Sequence, residues 1–222
     1  MLTIIEQWFH NDDKLTEEGL ITETTEIILH NQGMRSGIEC SLCIRCPRDR
    51  VQGCCAISPV FLLTDIGYFI SNNGDDFVIK LLDSPYTDLF EHQFRINAVE
   101  RADDRAVCRF HHPEIGCRIP LAYRNTVCRQ FLCPEVKLWQ DHRARRWVQF
   151  WLRLQEEEIR GQQLLAAECV KKGYSLLVHR QECLQLIGEK YQELRFDLPD
   201  GYQQTEWIML DKQERGCPVP IK

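Results

Sequence analysis

The chain of 222 residues is long enough for one sizeable domain, and its 44% hydrophobic content can form a buried core. Its net charge of −6 is opposite to the positive balance of general nucleic-acid-binding proteins, so nucleic acid is not expected as a partner. Apolar runs far shorter than the roughly 20 residues of a membrane span, and an N-terminus unlike a signal peptide, predict a cytoplasmic protein without membrane contact.

The first third of the chain predicts a strand, an irregular segment and a helix, in that order. Residues 24–29 are rich in β-branched side chains and predict a strand. Residues 40–55 combine a proline, a glycine and closely spaced cysteines, which oppose regular structure. A helix is predicted over residues 65–71 and stops at the Asn-Asn-Gly of residues 72–74.

The middle of the chain predicts a hairpin followed by a second irregular segment. Residues 94–99 alternate between apolar and polar side chains, Asp103-Asp104 can turn, and residues 106–110 can return as the second strand. Residues 116–133 carry further cysteines without a regular pattern. We therefore expect this part to be held by its cysteines rather than by long secondary-structure elements.

Helical periodicity begins after Cys133-Pro134. Four apolar residues then follow the i, i+3, i+4 and i+7 spacing of one helix face: Trp147, Phe150, Trp151 and Leu154. Gly161 is a weak point further along this predicted helix. A second helix is predicted over 175–191 and a short strand over 205–210.

These elements predict an α+β fold with three segments. Residues 1–35 form an N-terminal extension, residues 36–135 form a small irregular cysteine-cluster domain that binds metal and contains a short hairpin, and residues 136–222 form a helical C-terminal region that packs on it.

The cysteines are the main chemical signal. Nine of the 12 lie between Cys40 and Cys133, a density that indicates metal or redox chemistry in a reducing compartment. Cys43 and Cys46 have the spacing that turns two sulfurs toward one ion, and a site needs about four such ligands. We predict that two distant stretches share the ligation, with Cys40 in reserve: Cys43, Cys46, Cys54, Cys55, Cys108, Cys117, Cys128 and Cys133.

Some of the cysteines and histidines have interpretations that do not involve a metal. Cys169 and Cys183 lie within helical patterns and are interpreted as small buried apolar residues. His111 and His112 can ligate metal, but we favour a solvated turn for them. Disulfides and simple burial are the alternatives for the group of nine, and neither explains the spacing as well as metal does.

The order of these motifs resembles the YkgJ-type cysteine-cluster family, whose members are described as zinc- or iron-chelating proteins and sometimes as iron–sulfur proteins. The resemblance covers about residues 40–135 and is carried by several short pieces: Cys43, Cys46, Cys54-Cys55, residues 63–66, residues 108–110, residues 116–119 and residues 124–133. The chain departs from the family pattern where residues 47–53 intervene before the paired cysteines and where Asn125 replaces a proline.

The metal and its role stay open on sequence grounds. Four thiolates give a net charge of about −2 with either zinc or a [4Fe–4S] core, and nearby cations would balance it: Arg45, Arg109, Arg118, Arg124 and Arg129. The cofactor is therefore an iron–sulfur cluster or zinc, and the nine cysteines allow one centre or two.

Three functional classes fit this interpretation. The first is a metal-binding protein, and the second is a redox or protein-modifying enzyme, since flagellin lysine N-methylases have a broadly similar cysteine arrangement. The third is a zinc-stabilised helical module without catalysis, in which Trp139, Trp147 and Trp151 face a protein partner; for these tryptophans we favour packing on the cysteine domain.

Charged residues in the helical region are interpreted as surface. Residues 156–158 form a run of three glutamates, for which a solvated helix face is expected. The arginines between 143 and 153 form a basic stretch that can meet an acidic partner or is ordinary surface charge. Asp65 is best explained as a carboxylate at a helix start. No other catalytic signature is found in the sequence, so enzymatic activity is left open.

Overall fold

A computed structural model describes most of the chain between residues 25 and 210. The described residues are 25–41, 54–56, 58–100, 106–112, 115–132, 136, 138 and 141–210. Three of the predicted ligands, Cys43, Cys46 and Cys133, lie outside them, as do Arg45 and Trp139.

One antiparallel sheet joins the two ends of the described chain. Strand β1 (Thr25–His30) lies between β2 (Gly37–Cys40) and β10 (Thr205–Leu210). Ile27 lies opposite Ile208, and both side chains are buried, so this register places the apolar face of the sheet on the core. The strands predicted over 24–29 and 205–210 are confirmed, and one sheet draws together all three predicted segments.

A second antiparallel sheet supports the helix that follows it. Its order is β3 (Val60–Leu62), β5 (Gln93–Ile96), β4 (Thr87–Leu89). Helix α1 (Leu63–Ser71) follows β3 directly, which confirms the predicted helix, and α2 (Asp75–Leu82) comes next after a short turn.

Two small hairpins follow the second sheet. Strand β6 (Val99–Glu100) pairs with β7 (Ala106–Val107), and β8 (His111–His112) pairs with β9 (Gly116–Cys117). The predicted hairpin is confirmed at Val99, which pairs with Val107, but it is wrong for residues 94–96, because Phe94 lies in β5 opposite Phe61 of β3. The two rings stack with centroids 4.9 Å apart, and both are buried in the core.

The C-terminal part is helical, as predicted, so the α+β fold class is confirmed. A short helix α3 (Thr126–Gln130) is followed by α4 (His142–Arg145), the long α5 (Trp147–Lys172) and α6 (Arg180–Glu193). Helix α5 continues through Gly161, where an added Cβ would lie 3.0 Å from Thr64 Cγ2, so this glycine permits close packing and is not a break.

The buried apolar residues form two clusters. One surrounds Phe61, α1, α2 and α6, and the other lies between the first sheet and the start of α5. Trp147 and Trp151 are buried in the second cluster, so these two side chains pack within the molecule. None of the helices in the described ranges combines the length and apolar content needed to cross a bilayer.

Candidate metal centre

A small cavity brings together five of the eight predicted ligands. It measures about 20 Å³, and its wall includes Cys54, Cys55, Cys108, Cys117 and Cys128. These cysteines come from stretches more than 50 residues apart in the chain. The convergence of the two cysteine stretches that the sequence predicts is therefore present for these five residues.

The first stretch reaches the cavity through a short 3₁₀ turn. Cys54 and Cys55 lie in the turn Cys54–Ala56, with their sulfurs 4.0 Å apart. The backbone N–H of Cys108, which follows β7, donates to the carbonyl of Cys55 at 2.6 Å. This backbone bond joins the two cysteine stretches directly. It fixes Cys55 and Cys108 next to each other in the cavity wall.

The second stretch places its other cysteines on a strand and a helix. Cys117 ends β9, and Cys128 lies in α3. Asn125 caps α3, because its side chain accepts from the backbone N–H of Cys128 at 2.9 Å and donates to the carbonyl of Val60 at 2.7 Å. Asn125 therefore ties the helix that carries Cys128 to strand β3.

Apolar side chains complete the wall and raise the cost of charging the thiols. Pro59, Phe61, Phe110 and Ile119 line the cavity with the cysteines. Burial is the main cause that raises the pKa of Cys108 to about 12, and the neighbouring thiols of Cys55 and Cys117 act in the same direction. A negative charge on Cys108 therefore needs a nearby cation to offset it.

Among the described residues, Arg124 is the cation that lines this cavity. Its Nε donates to the carbonyl of Ile119 at 2.9 Å, which turns the guanidinium toward the thiols. Burial raises the pKa of Cys117, while the charge of Arg124 and its hydrogen bond oppose this rise. Arg124 thus stabilises negative charge at Cys117, in line with its place in the predicted motif.

Two buried ion pairs hold the backbone around Arg124. Arg35 donates to Asp65 Oδ1 at 2.6 Å, and Arg129 donates to Glu158 Oε1 at 2.6 Å. Both arginines also donate to the carbonyl of Arg124, and the Nε of Arg129 does so at 3.2 Å. All four charged side chains are buried, so this network is a rigid support behind the cavity.

Other predicted residues lie apart from the cavity wall. Cys40 ends β2 and packs against the cluster around the first sheet. Arg109 lies over the ring of Tyr86, Arg118 is exposed, and Arg129 pairs with Glu158. Of the described arginines proposed to balance the centre, Arg124 lines the cavity.

Two surface interpretations are wrong. His111 is buried in β8 opposite Cys117 rather than in a solvated turn, because the hairpin with β9 places it against the core. Glu157 and Glu158 are also buried rather than solvated, since Arg160 pairs with the first and Arg129 with the second. Asp65 accepts from the N–H of Leu62 at 3.1 Å, which confirms its role at the helix start, and pairs with Arg35 as well.

The basic stretch of the helical region is engaged within the molecule. Arg143 contacts Asp141, Arg146 contacts Glu206, and Arg153 contacts Glu157. Sequence reasoning missed the support of the cavity by Asn125, although an asparagine just before a helical segment is a recognisable cap signal. It also missed the ion pairs of Arg35 with Asp65 and of Glu158 with Arg129. No local sequence pattern predicts a partner about 30 residues away.

The cysteine thiols of the cavity wall suit a thiophilic metal, but the described thiols are not arranged as a coordination shell. Within the described part of the chain, no three histidine, cysteine, aspartate or glutamate side chains are arranged to hold a metal ion as they stand. Cys108, Cys117 and Cys128 are thiols rather than disulfides. Ligation therefore needs movement of the cysteine side chains, or ligands from outside the described residues.

No protein-family model, curated protein or solved structure matches this chain. The interpretation of the cavity therefore depends on its own geometry and chemistry. The ligand assignments, including those of Cys43, Cys46 and Cys133, stay predictions.

Proposed function

We propose that this protein binds a metal through cysteine thiolates at the cavity, as a YkgJ-type cysteine-cluster protein. The observation that carries the proposal is that Cys54, Cys55, Cys108, Cys117 and Cys128 line one cavity from distant parts of the chain. Burial of apolar surface does not by itself gather five thiols at one place. Thiolates are the ligands that zinc and iron–sulfur centres prefer.

The size of the cavity supports a single ion over a cluster. A cavity of about 20 Å³ has room for about one water-sized sphere. A zinc ion with four ligands at roughly 2.0–2.3 Å is of this size. A four-iron cluster takes the same number of thiolates but has to push the cysteines further apart. Zinc is therefore the proposed metal, and an iron–sulfur centre is the alternative.

The enclosed, apolar wall supports a metal-holding role rather than catalysis at the metal. Structural zinc sites have four protein ligands, whereas catalytic ones keep a position open for water or substrate. The cavity is too small for a substrate beside an ion. A bound metal would supply cross-links between the turn Cys54–Ala56, β9 and α3, and so stabilise the irregular segments.

The alternative function is a zinc-stabilised helical interaction module without catalysis. Its tryptophans do not favour it, because Trp147 and Trp151 are buried and stacked with centroids 5.9 Å apart. A protein partner would need another surface. A redox or protein-modifying activity is likewise proposed only if the metal is an iron–sulfur cluster.

Elemental analysis of the full-length protein purified without oxygen tests the proposal. We expect about one zinc per chain and a colourless protein, because d¹⁰ zinc gives no visible charge-transfer band. Iron and sulfide with a brown colour would support the iron–sulfur alternative instead. Metal binding would be overturned if the purified protein contained neither zinc nor iron and did not bind either metal when it was added.

Cysteine variants test the assignment of the ligands. Cys117→Ser and Cys128→Ser should each lower the zinc content by at least half, because a hydroxyl is a poor replacement for a thiolate on zinc. Cys40→Ser is the matched control and should retain the metal, since Cys40 lies outside the cavity wall. If all three variants retain metal equally, the cavity is not the site.

A further inference from the structure

A second group of thiols lies away from the cavity, between the two long helices. The Sγ atoms of Cys169 in α5 and Cys183 in α6 are 3.7 Å apart, and both residues are completely buried. A hydrogen bond between the two thiols holds them side by side. This is a dithiol whose sulfurs need only a small movement to reach bonding distance, about 2.05 Å in a disulfide.

A surface cleft is lined by residues of the α5–α6 connection, which are close in sequence to this pair. It measures about 360 Å³, and its wall includes Val170, Tyr174 and His179. The N–H of Tyr174 donates to the carbonyl of Cys169 at 2.9 Å, and the N–H of Cys183 donates to the carbonyl of His179 at 2.8 Å. These two bonds tie the backbones of both cysteines to residues that line the cleft.

We propose that Cys169 and Cys183 are a redox-active pair that small peroxides convert to a disulfide through this cleft. The burial of both sulfurs selects the oxidant, because hydrogen peroxide is small and uncharged whereas a glutathione disulfide is bulky and charged. This site is separate from the cysteine cavity and does not depend on metal binding.

The reaction takes two steps and one peroxide. The sulfur of Cys169 attacks one oxygen of the peroxide, an S–O bond forms as the O–O bond breaks, and the leaving hydroxide takes the thiol proton to depart as water. The sulfur of Cys183 then attacks that of Cys169, the S–S bond forms as the S–O bond breaks, and the leaving hydroxide takes the Cys183 proton to depart as a second water. Two thiols lose two electrons in total, and one hydrogen peroxide gains them.

The two thiols differ in a way that supports this order. The hydrogen bond with Cys183 lowers the pKa of Cys169, whereas the same bond and burial raise the pKa of Cys183. Cys169 therefore carries the greater thiolate character of the two, which suits the residue that attacks the peroxide.

Mass spectrometry of the full-length protein tests the proposal. After exposure of the folded protein to hydrogen peroxide, non-reducing digestion should yield a peptide in which Cys169 and Cys183 are linked, with the loss of two hydrogen atoms. The Cys40→Ser control should give the same peptide. In Cys183→Ala, a sulfenic-acid trap such as dimedone should label Cys169, and in Cys169→Ala the labelling of Cys183 should be at least tenfold lower.

Two results would overturn the proposal. One is that Cys169 and Cys183 remain fully alkylatable after denaturation, at a peroxide dose that oxidises Cys54 or Cys55. The other is that glutathione disulfide forms adducts with either residue in the folded protein as fast as peroxide oxidises it, since the pair would then be open to bulky oxidants. Because the readout is a peptide and not metal content, its failure is distinguishable from failure of the metal site.

Discussion

The guanidinium of Arg129 donates to Glu158 Oε1 at 2.6 Å, and both side chains are buried. This ion pair connects α3, which carries Cys128, to the middle of the long helix α5. The Nε of Arg129 also donates to the carbonyl of Arg124, whose own side chain faces the thiols. The position of one cavity wall therefore depends on a charge pair that is distant in sequence.

Removal of the buried carboxylate should destabilise the protein strongly. Glu158→Ala leaves Arg129 buried without its main partner, which typically costs about 3–5 kcal/mol of unfolding free energy. Urea denaturation measures the loss. Glu156→Ala is the matched control, since its carboxylate is exposed and pairs with Arg153 at the surface, and we expect a change within about 0.5 kcal/mol. Equal losses in the two variants would contradict a supporting role for Glu158.

The cap of α3 should affect both stability and the proposed metal site. Asn125→Ala removes the bonds to Cys128 and Val60, so we expect a loss of about 1–2 kcal/mol in urea denaturation. Zinc affinity should fall about 10- to 100-fold, because the variant removes the cap that orients the proposed ligand Cys128. Competition with a chelator measures the affinity.

A second asparagine serves as the control for this prediction. Asn72 follows α1, is exposed, and donates to the carbonyl of Tyr68 at 2.8 Å. Asn72→Ala should leave zinc affinity unchanged. Should Asn125→Ala bind zinc as tightly as wild type, the α3 cap does not position a ligand.

The packing of α6 on α1 leaves no room for a side chain at Gly188. An added Cβ would lie 2.7 Å from Ile70 Cγ2, so Gly188→Ala should cost about 1–3 kcal/mol despite the higher helix propensity of alanine. Ile70→Ala removes the clashing methyl group. In the double variant we expect a loss smaller than the sum of the single losses by about 1 kcal/mol, measured by urea denaturation. Simple additivity would show that the clash is relieved elsewhere.

Stability should depend on acid through Asp141, which caps α4. The hydrogen bond from the Arg143 side chain lowers the pKa of Asp141 to about 2. A carboxylate with a lowered folded-state pKa stabilises the fold at pH above its unfolded value, and this contribution is lost as the pH falls toward 2. Asp141→Asn should therefore flatten the fall in stability between about pH 4 and pH 2, by up to about 1 kcal/mol because solvent screens the exposed guanidinium.

An exposed aspartate is the comparison for the acid experiment. Asp200 is exposed on the surface, and Asp200→Asn should retain the wild-type slope of unfolding free energy against pH. Chemical denaturation at several pH values measures both slopes. If Asp141→Asn also retains that slope, the bond with Arg143 contributes nothing to acid stability.

Several parts of the fold follow from local sequence. The β-branched run at 24–29, the short strand segment at 205–210 and the i, i+3, i+4, i+7 spacing from Trp147 each identify an element without knowledge of its partner. The density and spacing of the cysteines likewise mark residues 40–133 as the chemically unusual region. These signals are local because backbone geometry sets the periodicity of strands and helices.

The tertiary structure decided what those elements meet. Phe94 pairs with β3 rather than with the following residues, Glu158 lies in the core beside Arg129, and Cys169 faces Cys183 across two helices. Each outcome depends on contacts between residues separated by 14 or more positions. No periodicity encodes such contacts, because they arise from which buried charge, ring or thiol finds a complementary surface when the whole core packs.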